Sequence, residues 1–169
     1  MARFPSVYQM SAALIMRLRP DARPRRRFLR HAVLSGWEAL ARRDFEVMLV
    51  RYAPDVVYEA DARFQSLGIP GSARGRGEMA HVLEEIIDVW DRLVLAPAAI
   101  VDPGGESVIG LGTNRGRGQR SGIEIEGEFA QLLTTKRGLV AHERDFSQWD
   151  DALRAAALDP AALDLPARR

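Results

Sequence analysis

The side chains best placed to do chemistry in this sequence are carboxylates near its C-terminal end. In the run Leu139–Phe146, strand alternation puts Ala141, Glu143 and Asp145 on one face and His142, Arg144 and Phe146 on the other. A carboxylate among apolar side chains loses solvation, its pKa rises, and it becomes suited to general acid/base work near neutral pH. Asp145 paired with an arginine would instead be structural, and the residues leave both readings open. A second acidic group, Glu124, Glu126 and Glu128, shares one face of the preceding strand with Ala130 and Leu132. Three acids on one face read first as a solvated sheet face, with Arg115 and Arg117 as cross-strand partners. The alternative is that Glu126 and Glu128 reach a cavity mouth. Trp37, Trp90, Tyr58 and Phe129 read as core rings or, where a cavity exists, as walls for a flat apolar ligand.

Other chemistries are excluded or disfavoured. The chain has no cysteine, which removes disulfides, thiolate metal sites and thiol nucleophiles. His31, His81 and His142 are scattered, form no helical metal-ligand pair, and give no reason to expect a metal. Gly110, Gly112 and Gly116 are one residue too widely spaced for a dinucleotide loop, and a strand follows where a helix is needed. There is no Gly-x-Ser-x-Gly nucleophile motif. No cofactor is expected.

With 169 residues, the chain has the length of one domain with short appendages. Its net charge of +1 argues against a uniformly basic nucleic-acid binder. That small value hides an asymmetry: residues 1–30 carry eight arginines and one acid, and an acidic remainder balances them. Such an arm reads as a surface helix docked on the body, since Val7, Met10, Leu14 and Leu18 recur at helical spacing. A loose arm, or one that binds phosphate or a membrane, is the alternative. The apolar run Ser11–Met16 stops at Arg17, too short to span a bilayer and without a small-residue cleavage site. The expectation is a cytoplasmic, bacterial-type protein with no membrane partner.

The elements that must position these residues follow from periodicity. Leu29, Ala32, Val33, Gly36, Trp37 and Leu40 mark one face of a helix over residues 26–43, and Gly36 leaves room there for sheet backbone or a ligand. Asp44 can cap a short helix holding Phe45, Met48, Leu49 and Tyr52, which Pro54 ends. A strand at 56–59, a glycine-rich loop at 66–77 and a helix at 78–91 come next. Strands at 93–101, 107–117, 123–135 and 139–146 are joined by short turns. Ser147 and Asp150 have capping-box spacing for a closing helix at 150–158. Helices followed by an antiparallel meander imply an α+β fold in which one curved antiparallel sheet packs on three helices and forms a cone with a central cavity. Residues 1–25 are then a basic arm or helix, 26–158 the domain, and 159–169 a flexible tail.

The ordered set Trp37-Glu-Ala-Leu-Ala-Arg-Arg-Asp-Phe-Glu46, Tyr52-Ala-Pro-Asp-Val-Val57 and Gly75-Arg-Gly-Glu78 resembles the SnoaL-like proteins of the nuclear-transport-factor-2-like superfamily. Arg115–Glu126, Phe129–Leu133, Gly138–Val140 and Ala152–Ala156 resemble their central hairpin, last strand and closing helix. The resemblance implies the cone fold, a homodimer through the outer sheet face, and a small apolar metabolite as ligand. It covers cyclases, isomerases and hydrolases as well as non-catalytic binding or dimerisation modules. Position by position, the ketosteroid-isomerase base falls at Ala60, its tyrosine at Gly36 and its protonated aspartate near Ala130, so those roles are vacant. The epoxide-hydrolase charges of the third strand fall near Gly112 and Asn114 and are missing, while the last-strand aspartate falls at Asp145. The resemblance therefore implies Asp145 as acid/base, with Tyr58 and Glu128 in support, and Trp37, Trp90, Phe129, Leu132 and Glu143 around the ligand.

Overall fold

The computed structural model describes residues 7–119 and 121–167. Three helices lead: α1 (Val7–Ile15), α2 (Arg23–Ala41) and α3 (Phe45–Leu49). They are followed by β1 (Tyr52–Ala60), the short α4 (Ala62–Ser66), β2 (Ser72–Arg74) and α5 (Gly75–Asp88). The long strands β3 (Trp90–Val101), β4 (Ser107–Gly118), β5 (Glu124–Lys136) and β6 (Leu139–Phe146) form the meander, and α6 (Trp149–Ala155) closes it. One six-stranded, unclosed sheet results, in the order β2-β1-β6-β5-β4-β3. All pairs are antiparallel except β1 with β6, which sets Tyr58 opposite Glu143 and Ala60 opposite Asp145.

Both faces of the sheet are covered. On one, α2 and α5 bury Val33, Trp37, Val82, Leu83 and Ile86 against β1 and the meander. On the other, α6 buries Trp149, Ala152 and Leu153 against Ile109, Leu111, Ala130 and Leu132. The helix-side positions of β4 are largely glycine, because rings occupy the space their side chains would need. A Cβ at Gly110 would lie 2.6 Å from the Trp37 ring, and one at Gly116 would strike Trp90.

Several expectations need correction. Tyr52 belongs to β1, not to the preceding helix, and Pro54 lies inside that strand, next to the irregular pairing between Tyr52 and Val57. The loop at 66–77 contains β2 and the end of α4. Ser147 does not cap α6. Its N–H and hydroxyl both donate to Asp61 Oδ2 at 2.6 Å, and Glu128 Oε2 accepts the Trp149 N–H instead. The apolar stripe of α1 points away from the body: Val7, Met10 and Leu14 are 83%, 60% and 66% exposed, whereas Ala12 and Met16 are buried. In the C-terminal segment, a short 3₁₀ turn (Pro160–Ala162) leads to Leu163 and Leu165, which pack on the α6 cluster.

One buried guanidinium ties α1 down. Arg25 is 1% exposed and forks onto Asp102 at 2.6 and 2.8 Å. It also donates to the carbonyls of Met16, Leu18 and Gly105, joining the α1–α2 connection to the β3–β4 turn. Among the described residues no helix is long and apolar enough to cross a membrane.

Candidate functional site

Between the helices and the sheet lies a cavity of about 120 Å³. Its walls are mostly apolar: Trp37 and Val33 of α2, Leu83 and Ile86 of α5, Trp90 and Leu95 of β3, Phe129 and Leu133 of β5. Tyr8 and Ala12 of α1, with Met16 just after it, add a further wall. Gly138, in the β5–β6 turn, permits that approach, since a side chain there would collide with the backbone of α1 at Gln9 and Ala13.

A hydrogen-bonded group of polar side chains, centred on Glu143 and Asp145, breaks this apolar wall. Glu143 is 1% exposed, and both its oxygens are partnered: Oε2 accepts the Tyr52 hydroxyl at 2.5 Å and Oε1 accepts the Gln131 amide at 2.8 Å. The Gln131 amide oxygen in turn accepts the Trp37 indole N–H at 3.2 Å. Asp145 differs. Its Oδ2 accepts the Tyr58 hydroxyl at 3.2 Å, but Oδ1 is shut off from solvent with no hydrogen-bond partner. Buried polar atoms almost always find a partner, so a lone carboxylate oxygen on a residue that lines a cavity is a functional signal.

Burial dominates the electrostatics. Desolvation pushes Glu143 up to about 7, although the hydrogen bonds from Tyr52 and Gln131 favour its anion. Asp145 is raised well above the ordinary carboxylate range by burial first and by the nearby Glu143 second, with the Tyr58 hydroxyl and the neighbouring Gln131 amide opposing. Tyr58 and Tyr52 are themselves raised by burial and by the two carboxyls, so both hydroxyls keep their protons and act as donors. Asp61, outside the cavity, goes the other way: burial opposes ionisation, but hydrogen bonds from Ser147, Phe64 and Arg63 hold it below its ordinary value. Among the described residues no cluster of histidine and acidic side chains could hold a metal.

No family model and no curated protein sequence matches the chain. Solved structures do match in fold. An NTF2-like protein from Burkholderia pseudomallei superposes with a TM-score of 0.61 at 24% identity, over 72% of this chain and 92% of that one. TerC, co-crystallised with polyporic acid, gives 0.60 at 21%, over 75% and 96%. A candidate polyketide cyclase from Xanthomonas campestris gives 0.59 at 15%, over 88% and 98%. The chain has the NTF2-like cone fold.

Within this NTF2-like cone, Asp145, Glu143, Trp37, Trp90 and Phe129 come together at the cavity, and Tyr58 stands behind Asp145, bonded to it, without lining the cavity itself. Glu128 and Leu132 do not. On β5 the cavity side is Phe129, Gln131 and Leu133, so the opposite parity puts Leu132 under α6 and Glu128 at the start of that helix. Ala141 is also displaced: pairing jumps from Thr134–His142 to Thr135–Val140, and this bulge brings Val140, not Ala141, to the cavity. Arg115 and Glu126 form an exposed pair at 2.7 Å on the outer face. Sequence reading missed Tyr52, Gln131 and Arg51. Gln131 had a legible signal, because it shares the parity of Phe129; Tyr52 was hidden by its assignment to a helix.

Proposed function

We propose that the cone binds a small, mostly apolar molecule carrying a carbonyl or hydroxyl group and moves a proton on it through Asp145. The observation that carries this reading is the buried, unpartnered Oδ1 of Asp145, a lining residue of a cavity whose other carboxylate, Glu143, has both oxygens hydrogen-bonded. An acid with a raised pKa in a dry site can hold a proton near neutral pH and release it to a bound partner. Tyr58, on Oδ2, orients the carboxyl and supports its anion as the proton leaves. Cyclisation, isomerisation and hydrolysis all use such a step. The expected homodimer belongs to the same proposal, with the exposed Val94, Ala96 and Ala98 of β3 as its apolar outer-face positions.

The test is proton exchange. Cyclic and aromatic ketones are screened through the fluorescence of Trp37 and Trp90, and binders are incubated with the protein in D₂O. Loss of the α-hydrogen signal by NMR with the native chain, and its retention with Asp145→Asn at equal binding, supports acid/base catalysis. Binding without exchange in either protein supports the second reading, a non-catalytic binding module, which the narrow apolar cavity favours.

A further inference from the structure

We propose that Arg51 anchors the ligand's head group, and that the ligand is an elongated, mostly apolar monoanion with its anionic end at Arg51 and its far end at Asp145. This rests on the reading of the cavity as a ligand site and names the class of molecule that fits it.

Among the described residues that line the cavity, Arg51 is the sole basic one. It sits half-buried between α3 and β1, and among the described residues no carboxylate lies within ion-pair distance. Its guanidinium is nonetheless held in place. Nη1 donates to the Ala32 carbonyl and the Ser35 hydroxyl on α2, both at 3.1 Å, and the Tyr8 ring centroid lies 5.7 Å from Cζ. Among the described residues, nothing takes up the Nε and Nη2 donors, a fork suited to a carboxylate. Arg25 shows what this fold does with a structural guanidinium: Asp102 and three carbonyls take up its donors. Arg51 lacks that anion.

The space beside it is open. Gly36 lies within α2, where helical backbone makes no demand for glycine, and the nearest atom to a Cβ there would be Arg51 Nη1 at 3.8 Å. The absent side chain leaves room over the guanidinium. Length follows from the strands. The Val140 N–H donates to the Arg51 carbonyl, and Asp145 lies five residues further along β6, about 16 Å at most for an extended strand. Trp37, Leu95, Phe129, Leu133 and Val140 give the same cavity its apolar wall. The Asp145 end offers an anionic head two carboxyls and no cation, whereas Arg51 offers a guanidinium, so charge favours the orientation with the head at Arg51.

The probes are octanoate and 4-phenylbutyrate against octanamide and 4-phenylbutanamide, titrated into the full chain at pH 8 by calorimetry and tryptophan fluorescence. Each acid is expected to bind at least tenfold more tightly than its amide. Arg51→Gln should bring that ratio within twofold, and Arg51→Lys should restore part of it. A native ratio near one overturns the proposal even if Arg51→Gln fails to fold. A ratio that survives in folded Arg51→Gln does so too. If the amides bind as well as the acids, only the Arg51 assignment falls and the cavity reading stands; if none of the four binds, both fall.

Discussion

Tyr58 and Asp145 meet across the parallel β1–β6 pair, the hydroxyl donating to Oδ2 at 3.2 Å while Oδ1 has no partner. Tyr58→Phe removes the hydroxyl that favours the Asp145 anion and leaves only the Gln131 amide to do so, so the carboxyl pKa rises further. In any pH-dependent binding or exchange governed by Asp145, the midpoint should move upward by up to one unit. Carboxyl NMR of the chain labelled at aspartate reads the same shift directly. A midpoint that stays put would mean that the hydroxyl does not sense the charge.

Glu143 links the cavity to stability. Its pKa, about 7 in the fold, exceeds the unfolded value of about 4.3. Between those values the folded chain holds a proton that the unfolded chain has lost, so stability falls as pH rises. The stabilisation is complete below the unfolded pKa and lost as pH passes through the folded one. Each pH unit in that window costs about 1.4 kcal/mol. Urea melts from pH 5 to pH 8 should show this loss, and Glu143→Gln should make it shallower. Asp145 slopes the same way, so Glu143→Gln with Asp145→Asn should be close to flat.

The meander was legible because β-branched runs and glycine turns mark its strands, and β6 falls at 139–146 as read. The parity of β5 was not legible. With the cavity on one side and α6 on the other, Phe129 and Leu133 are apolar on one face and Ala130 and Leu132 on the other, so alternation offers two equal answers. Glu128 and Leu132 were placed on the wrong side for that reason. The α1 stripe misled by the opposite route. Val7, Met10 and Leu14 face outward, while the small Ala12 and the flexible Met16 are buried against the cavity. The bulge at Ala141 depends on pairing with Thr134 and Thr135, a long-range fact that no local pattern encodes.

The Arg25 latch should be worth far more than a surface ion pair. Arg25→Met strands the Asp102 carboxylate, 11% exposed, and frees the carbonyls of Met16, Leu18 and Gly105. Breaking one side of such a buried pair costs about 3–5 kcal/mol. Arg25→Lys should recover only part, since an ammonium cannot reproduce the fork. Hydrogen exchange localises the effect: amides of residues 12–18 should lose protection before those of β4 and β5. Equal loss across the chain would show that Arg25 holds the whole fold and not the α1 end.

Gly110 and Trp37 are a complementary pair, and substituting both tests the cavity wall. A Cβ at Gly110 would stand 2.6 Å from Trp37 Cζ2 and 2.8 Å from Val33 Cγ1, closer than carbon atoms tolerate. The indole cannot easily retreat, because its N–H is bonded to Gln131 and its ring packs 4.6 Å, centroid to centroid, from Phe129. Gly110→Ala should therefore destabilise by about 1–3 kcal/mol through overpacking. Trp37→Leu alone should cost a similar amount through the void it leaves. Together they should cost less than their sum, because the smaller side chain on α2 makes room for the new methyl on β4. A double-mutant cycle from chemical denaturation measures that coupling. Additive losses would mean that α2 shifts as a body away from the sheet, and that the distance between helix and strand, not the ring, sets the width of the cavity.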